Sequence, residues 1–478
     1  MPTTATRTPT HPDVVLAICC CSLLLVGMDV TIVNVALPAI QHDLHAQLSG
    51  LQWIFDAYTL VVASLLMFSG SMSDRFGRRR VFQIGLTTFC IGSLLCSLSH
   101  TINQLILFRA IQGLGASMLN PVALSIIANV FPDPKARARA VGIWGAVAGI
   151  SLAIGPLIGG ALTQTIGWRS IFWINLPIGI AAILLAANFI PESKAPHARA
   201  FDPIGQALVF LALASLTYAV IEGPHAHWSS PTILSLFATA AASLIAFLLY
   251  EPRRREPLLD LRFFRSIPFA TAAVLGVLAF SGFAAFLFLN ALYLQQARGL
   301  SAFSTGLDTL PLAIAMFLCS LLSGRLVANR GPRPSVLLAG AAFIASTLIL
   351  THLTPTTPLP LLLLAYALFG TGLGVINPAI SNSAIAGMPL TQTGVAAAIA
   401  STSRQVGAAM GVAIAGTVVS ISRATGSDFS QATHAVWYAM TAAGAAIFAM
   451  GYISTTPWAL ATTKKIASLF PANVPAAR

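Results

Sequence analysis

The sequence predicts an all-α membrane protein of fourteen transmembrane helices, and three observations lead there. Of the 478 residues, 56% are hydrophobic and only 8% are charged, with a mean hydropathy of +0.82, a balance foreign to soluble domains. The apolar residues gather into fourteen stretches, each near the ~20 residues that cross a bilayer as a helix. Basic residues collect in every second connection, which fixes one face of the molecule.

The stretches run as follows. Span 1 (about 14–37) carries Asp29 and ends near Pro38. Span 2 (50–70) carries Trp53, Asp56 and Tyr58 and leads into the loop Gly70-Ser-Met-Ser-Asp74-Arg75-Phe-Gly77-Arg78-Arg79-Arg80. Spans 3 (81–99) and 4 (102–128) follow, the latter with Arg109. Span 5 (141–163) is rich in glycine. Span 6 (169–190) closes the first group. Spans 7 (203–222) and 8 (230–250) come next, with Glu222 expected in an outer loop. The second group is span 9 (268–291) with Phe283 and Phe286, span 10 (301–324) with Asp308, span 11 (334–353), span 12 (359–386) with Tyr366, span 13 (393–420) with Arg404, and span 14 (433–460).

The net charge of +12 does not point to nucleic acid, because its distribution is sided. With the N-terminus inside, 21 of the 26 Lys and Arg residues fall in cytoplasmic segments, from Arg7 through the loop arginines to Arg325, Arg330, Arg333, Lys464, Lys465 and Arg478. Arg169, Arg298 and Arg423 fall outside. This is the positive-inside pattern with both termini cytoplasmic, and it requires an even number of spans. Residues 1–13 do not resemble a cleaved signal peptide, so the first span is expected to remain. The six cysteines lie in spans with neither zinc-site nor disulfide-framework spacing. No metal or cofactor is expected.

The chain repeats itself. Gly113-x-Gly115 with Asn120-Pro121 recurs as Gly370-x-Gly372 with Asn377-Pro378; Gly70…Gly77 recurs as Gly324…Gly331; Gly145-xxx-Gly149 recurs as Gly407-xxx-Gly411. The organisation that follows is a cytoplasmic tail (1–13), an N-terminal six-helix bundle (14–190), cytoplasmic linkers with two inserted helices (191–265), a C-terminal six-helix bundle (266–460) and a cytoplasmic tail (461–478). The second copy has lost its charges: Ala328-Asn329 replaces Asp74-Arg75, and Tyr366 replaces Arg109. Coupling chemistry is therefore expected mainly in the first half.

Asp29, Asp56, Asp308, Arg109 and Arg404 lie within apolar spans, where an ionised side chain costs at least ~3 kcal/mol unless it faces a cavity or a partner. Counted from the span ends at 1.5 Å per residue, Asp29, Asp56 and Arg109 lie ~9–13 Å below the outer surface and could meet. An arginine between carboxylates is a proton device, because a helix movement that changes their distance changes proton affinity. Asp29 is the leading candidate for the coupling acid. The alternative is a permanent Asp29–Arg109 pair that only ties two helices. Asp56 either joins them or reaches water near the outer face. Asp308 either attracts a cationic substrate or is a solvated helix-start residue.

Span 5 reads Gly145-xxx-Gly149-x-Ser151-xxx-Gly155-Pro156-xx-Gly159-Gly160. Small residues four apart allow close helix approach, and a proline bends the helix; Gly149, Gly155, Pro156, Gly159 and Gly160 are the candidate hinge. In the basic loop, Gly70, Asp74, Arg75, Gly77 and Arg78 are the candidate conformational latch, with Asp74 accepting from the N-terminus of span 3; the arginines also set topology. Trp53, Tyr58, Phe283, Phe286 and Tyr366 are candidates to line a path for organic cations.

These strings converge on a resemblance. The basic loop resembles the loop after the second span of major facilitator superfamily transporters, and the span 5 string resembles the superfamily's antiporter signature, with Ser151 where that signature prefers glycine. Asp29-Val-Thr31-Ile-Val-Asn34-Val-Ala-Leu-Pro38, Trp53-Ile-Phe-Asp56-Ala-Tyr58, Arg109-Ala-Ile-Gln112-Gly113-Leu-Gly115 and Arg404-Gln405-Val-Gly407 resemble the fourteen-span drug:proton antiporter family (EmrB/QacA type). The resemblance covers roughly 13–460. It implies the major facilitator fold, two six-helix halves plus two extra central helices, in an inner-membrane exporter of hydrophobic or cationic drugs driven by proton influx through alternating access. It assigns Asp29 and Arg109 to proton coupling and Asp74 to conformational control. Small molecules, protons and lipid are the expected partners. The alternatives are a dedicated exporter of one endogenous metabolite, an importer or a channel. A membrane enzyme or ATP-driven pump is disfavoured by the lack of a Gly-xxxx-Gly-Lys-Ser/Thr loop or a His-Glu-xx-His string.

Overall fold

A computed structural model describes residues 11–194, 202–254, 257–386, 388, 393–424, 426 and 428–467. Arg7, Arg199, Arg255 and Arg478, and the side chains of Lys464 and Lys465, lie outside the described residues. The described chain is helical: α1 (Pro12–Asp43), α2 (Leu48–Phe76), α3 (Arg78–Ser97), α4 (Ile102–Val130), α5 (Pro134–Thr165), α6 (Ser170–Trp173), α7 (Asn175–Phe189), α8 (Pro203–Ala226), α9 (Pro231–Tyr250), α10 (Ile267–Leu292), α11 (Ala302–Asp308), α12 (Leu310–Arg330), α13 (Arg333–Leu350), α14 (Leu359–Ile385), α15 (Thr393–Ala424), α16 (Phe429–Ser454) and α17 (Pro457–Ala467). Among the described residues, fourteen helical segments are long and apolar enough to cross a membrane.

Local signals set the helix ends. A capping side chain followed by proline opens three helices: Asp133-Pro134, Asp202-Pro203 and Ser230-Pro231, whose side chains accept from the amides of Ala136, Gly205 and Ile233. The cap satisfies an orphan N–H, and proline at N1 has none to satisfy. Gly77, at φ +114°, stops α2 and starts α3.

The structure corrects four boundaries. Span 6 is broken at Ile174 into α6 and α7. Span 9 continues through a π-helical turn, Tyr293–Ala297. Span 10 is broken at Thr309, just before Pro311, so Asp308 ends α11. Span 14 ends at Ser454, and a separate helix, α17, occupies 457–467. Glu222, expected in an outer loop, lies within α8; the short run Gly223-Pro224 does not end the helix there.

Packing repeats as the sequence does. The pairs α1–α5, α2–α4, α3–α4 and α3–α7 recur as α10–α15, α12–α14, α13–α14 and α13–α16. The first set builds one bundle and the second set another, with α8–α9 on the flank, where α8 packs on both α2 and α15. The bundles meet at the face opposite the basic loop. Gln52 donates to the carbonyls of Val412 (3.4 Å) and Ala413 (2.8 Å), Gln295 to that of Val35 (2.8 Å), and Gln296 to the Gln41 side chain (2.6 Å).

Candidate functional site

The site forms where α1, α2, α4 and α7 converge. Arg109 and Gln112 stand one turn apart on α4 and share a face. Close packing brings that face in: a Cβ on Gly113 would lie 2.7 Å from the Tyr58 carbonyl, and one on Gly92 2.6 Å from the Gln112 backbone. Only glycine allows either approach.

Asp29 receives three donors. Arg109 Nη1 reaches Oδ2 at 2.6 Å, Gln112 Nε2 reaches Oδ1 at 2.8 Å, and Asn175 Nδ2 reaches Oδ1 at 3.3 Å. Arg109 Nη1 also donates to Gln112 Oε1 (2.7 Å), and Nε to the Ile54 carbonyl (3.2 Å). The Tyr58 ring covers the guanidinium, 4.3 Å from Cζ to the centroid. A second layer fixes Asn175, which donates to Ser93 Oγ (3.0 Å), and Ser93 donates to the Phe172 carbonyl (2.8 Å). Asp29, Arg109, Gln112 and Asn175 are wholly buried. The cluster pairs one negative with one positive group, which is what makes it tolerable inside a bilayer. Arg109 Nη2 and the Tyr58 hydroxyl have no hydrogen-bond partner among the described residues.

Asp29 and Arg109 therefore meet, as their depth suggested, but Asp56 does not join them. It is fully buried rather than near outer water, and neither carboxylate oxygen has a hydrogen-bond partner among the described residues. The reason is azimuth. Asp56 is one turn after Gln52, on the face turned to α15, whereas Tyr58 is two residues further and so points the opposite way, to α4. Arg404, on α15, also has a buried nitrogen, Nη1, without a hydrogen-bond partner among the described residues, and its guanidinium lies 5.8 Å from the Phe280 ring.

The aromatic candidates disperse. Tyr58 belongs to the ion pair. Trp53 donates to Glu222 (3.2 Å) and packs on Tyr218 (5.5 Å), so it faces α8. Phe286 stacks on Phe369 (4.7 Å) and meets Tyr366 (5.2 Å) and Trp437 (6.1 Å). Tyr366 donates to Asn290. These rings, with Phe283, are buried in the second bundle. Asp308 is half-buried at the end of α11, with Arg298 as the neighbouring charge.

The basic loop differs in one partner. Asp74 lies in the last turn of α2 and pairs with Arg78 (3.2 Å). The N-terminal amides of α3 go instead to Glu192, which accepts from Arg79 N (3.1 Å) and Arg80 N (3.3 Å) and lies 3.7 Å from the Arg80 guanidinium. A Cβ on Gly77 would strike that carboxylate, so Gly77 is required for both its φ and the space. In α5 the candidate hinge residues serve two neighbours. Gly155 and Gly159 abut Thr31 and Ile32 of α1, while Gly160 abuts the Ala302 carbonyl of α11 and Gly306 abuts Pro156. Gly149 faces Phe317 of α12, to which a Cβ would come within 3.0 Å. One side of this string builds the first bundle and the other side joins it to the second.

Reading the sequence missed Asn175, Ser93, Glu192 and the partnering of Gln112. Gln112 had a signal, its position one turn after Arg109. Glu192 stands just beyond Pro191 at the end of span 6, where an isolated acid faces the arginine-rich loop. Asn175 and Ser93 are ordinary polar residues in spans and carry no local signal.

Two bundles of repeated topology with a charged pair buried inside the first define a multi-pass membrane transporter. The profile of the Major Facilitator Superfamily matches residues 19–412, and the chain belongs to that family. Among its relatives, the multidrug resistance protein Stp of Mycobacterium tuberculosis is 36% identical over 83% of this chain and 74% of its own length. The methylenomycin A resistance protein of Bacillus subtilis is 36% identical over 91% of each chain. The multidrug efflux pump LfrA of Mycolicibacterium smegmatis is 32% identical over 86% and 82%. The crystal structure of the human organic anion transporter MFSD10 (TETRAN) superposes with a TM-score of 0.64 at 17% identity, over 92% of this chain and 99% of that one, a likeness of fold.

Proposed function

We propose that this protein is a secondary active exporter of hydrophobic or cationic small molecules, driven by proton antiport through alternating access. The observation that carries the reading is the buried Asp29–Arg109 pair at 2.6 Å, in a chain whose relatives are named for drug resistance and efflux. Asp29 accepts at both oxygens, so a proton on the carboxylate weakens the acceptor that Arg109, Gln112 and Asn175 share. Taking up a proton removes the charge that holds Arg109; releasing it restores the pair. Each helix that supplies a donor (α4 through Arg109 and Gln112, α7 through Asn175) is thereby tied to the protonation of α1.

The basic face is assigned to the cytoplasm of the inner membrane, with both termini there. The bundles are then closed on the outer side by Gln52, Gln295 and Gln296, which corresponds to an inward-facing state. Gly70, Asp74, Arg75, Gly77 and Arg78, together with Glu192, act as the cytoplasmic latch; Gly149 to Gly160 act as the hinge surface. Asp56 is a second proton site and Asp308 an attraction for cations near the outer face. The six-helix halves at 14–190 and 266–460 are the moving bodies.

A narrower reading has support of its own. Relatives are named for resistance to single antibiotics, methylenomycin A and tetracenomycin C, which suits a dedicated exporter with the same coupling. Everted vesicles energised to an acidic interior separate the readings. Lipophilic cations added one at a time should evoke proton release from the lumen. Release by one compound class alone supports the narrow exporter, and uptake that runs downhill without proton movement refutes antiport.

A further inference from the structure

The two inserted helices meet at the basic face in a pair of buried acids that the proposed transport cycle does not use. Asp202 caps α8, and Glu251 follows the last residue of α9. Asp202 is 5% exposed and Glu251 is wholly buried. Their carboxylates point at one place. A Cβ on Gly205 would lie 2.6 Å from Glu251 Oε1 and 2.7 Å from Asp202 Oδ2, so the bare glycine leaves the two oxygens converging over the first turn of α8.

Hydrogen-bond donors approach each carboxylate. Asp202 Oδ1 accepts from the Gly205 amide (2.9 Å) and the Tyr250 hydroxyl (3.2 Å), at the positive end of a 24-residue helix. The amides of Leu258 and Leu259 face Glu251 without completing a hydrogen bond. Asp202 Oδ2 and both Glu251 oxygens keep no partner among the described residues. The arginines that follow point elsewhere: Arg253 donates to the Leu249 carbonyl, and Arg254 stands 5.7 Å from the Tyr250 ring. Two like charges buried together without a counter-charge are costly. A shared proton would cancel one of them, whereas a divalent cation cancels both. No histidine, cysteine or third acid joins the pair among the described residues, a donor set that suits an oxygen-seeking ion and not zinc or copper.

We propose that Asp202 and Glu251 hold a divalent cation of the Mg²⁺ class, with Asp202 Oδ2 and Glu251 Oε1 as its protein ligands and water completing the shell, as is usual for an ion held by one or two carboxylates. The site is separate from the Asp29–Arg109 cluster, and it stands whether or not the export reading does. It joins the chain entering α8 from the first bundle to the chain leaving α9 for the second. Gln206, the residue after Gly205, donates to the Ser64 carbonyl of α2, and further along α8 the Val220 carbonyl accepts from Thr417 of α15 (2.7 Å). An ion at this point fixes the base of a hairpin that touches both bundles.

The test uses purified full-length protein in a neutral maltoside detergent, stripped with chelator, and Mn²⁺ as a paramagnetic probe that takes Mg²⁺ sites. Wild type should remove one Mn²⁺ per chain from the free-ion resonance signal, and excess Mg²⁺ should return it. Glu251→Gln and Asp202→Asn each lower the charge facing the ion and should weaken binding about tenfold or more. Gly205→Ala keeps both acids, places a methyl group where the oxygens converge, and should weaken binding as well. Asp133→Asn, at an exposed helix cap on the same face, should bind as wild type does. Thermal unfolding supplies a second readout: Mg²⁺ at constant ionic strength should raise the midpoint of wild type and leave that of Glu251→Gln unmoved. Stoichiometric binding that survives either acid variant would overturn the assignment, and so would a wild type that binds no Mn²⁺, a result that needs no variant to fold. In that case a wild-type midpoint that rises as pH falls, and stays flat in Glu251→Gln, would name a shared proton as the occupant instead.

Discussion

Asp29→Asn is the sharpest test of the buried site. The substitution keeps size and leaves an oxygen to accept from Gln112 or Asn175, but removes the carboxylate that pairs with the Arg109 guanidinium. Breaking a buried pair by removing one partner costs ~3–5 kcal/mol, because the other charge is left uncompensated. Here Arg109 keeps the Ile54 carbonyl, Gln112 Oε1 and the Tyr58 ring, so the low end, about 3 kcal/mol, is expected. Removing both charges in Asp29→Asn with Arg109→Gln should recover most of that loss, since a neutral pair carries no stranded ion. The assay has two arms. Thermal unfolding of purified single and double variants should show the single variant destabilised and the double variant close to wild type. Substrate-evoked proton release in everted vesicles should be absent from both. A single variant as stable as wild type would show that the pair does not compensate Arg109. Uphill transport by Asp29→Asn at the normal rate would refute Asp29 as the coupling acid.

Three further outcomes follow from the geometry. Gly77→Ala puts a side chain at φ +114° and against Glu192; a cost on the order of 1–2 kcal/mol for the backbone alone should loosen the junction, seen as faster proteolysis at the 70–80 loop and slower transport. Trp53→Phe removes the bond to Glu222 and should lower thermal stability by about 1 kcal/mol while leaving the KM for drug substrates as it was; a raised KM would return Trp53 to the substrate path. Val220→Cys with Thr417→Cys, oxidised to a disulfide, should hold α8 against α15 at the closed face and stop transport until reduced. Undiminished transport by the cross-linked form would mean that this contact persists through the cycle.

Much of this protein is legible in the chain because its membrane spans are local properties. Fourteen apolar stretches can be counted without knowing what they touch, since each must satisfy its own backbone in lipid. The sidedness of the arginines is equally local, and so is the repeat of Gly113 and Asn120-Pro121 at Gly370 and Asn377-Pro378. Depth is nearly as local: residues counted from a span end placed Asp29 and Arg109 at one level, and they are paired. Azimuth is not. Which way a side chain points round its helix matters only relative to neighbours, and those come from distant parts of the chain. That is why Asp56, at the same depth, stands apart on the α15 side, and why Trp53 faces α8 rather than a substrate path. Asn175 reaches Asp29 because α6 and α7 break at Ile174, and Glu192 takes the amides of α3 because the end of span 6 returns beside the basic loop. The sequence by itself determined the spans and the level at which Asp29 and Arg109 pair. The tertiary structure alone decided which charges are partnered and which helices the inserted pair packs against, because each depends on the rotation and tilt of helices against one another, and no single segment encodes that.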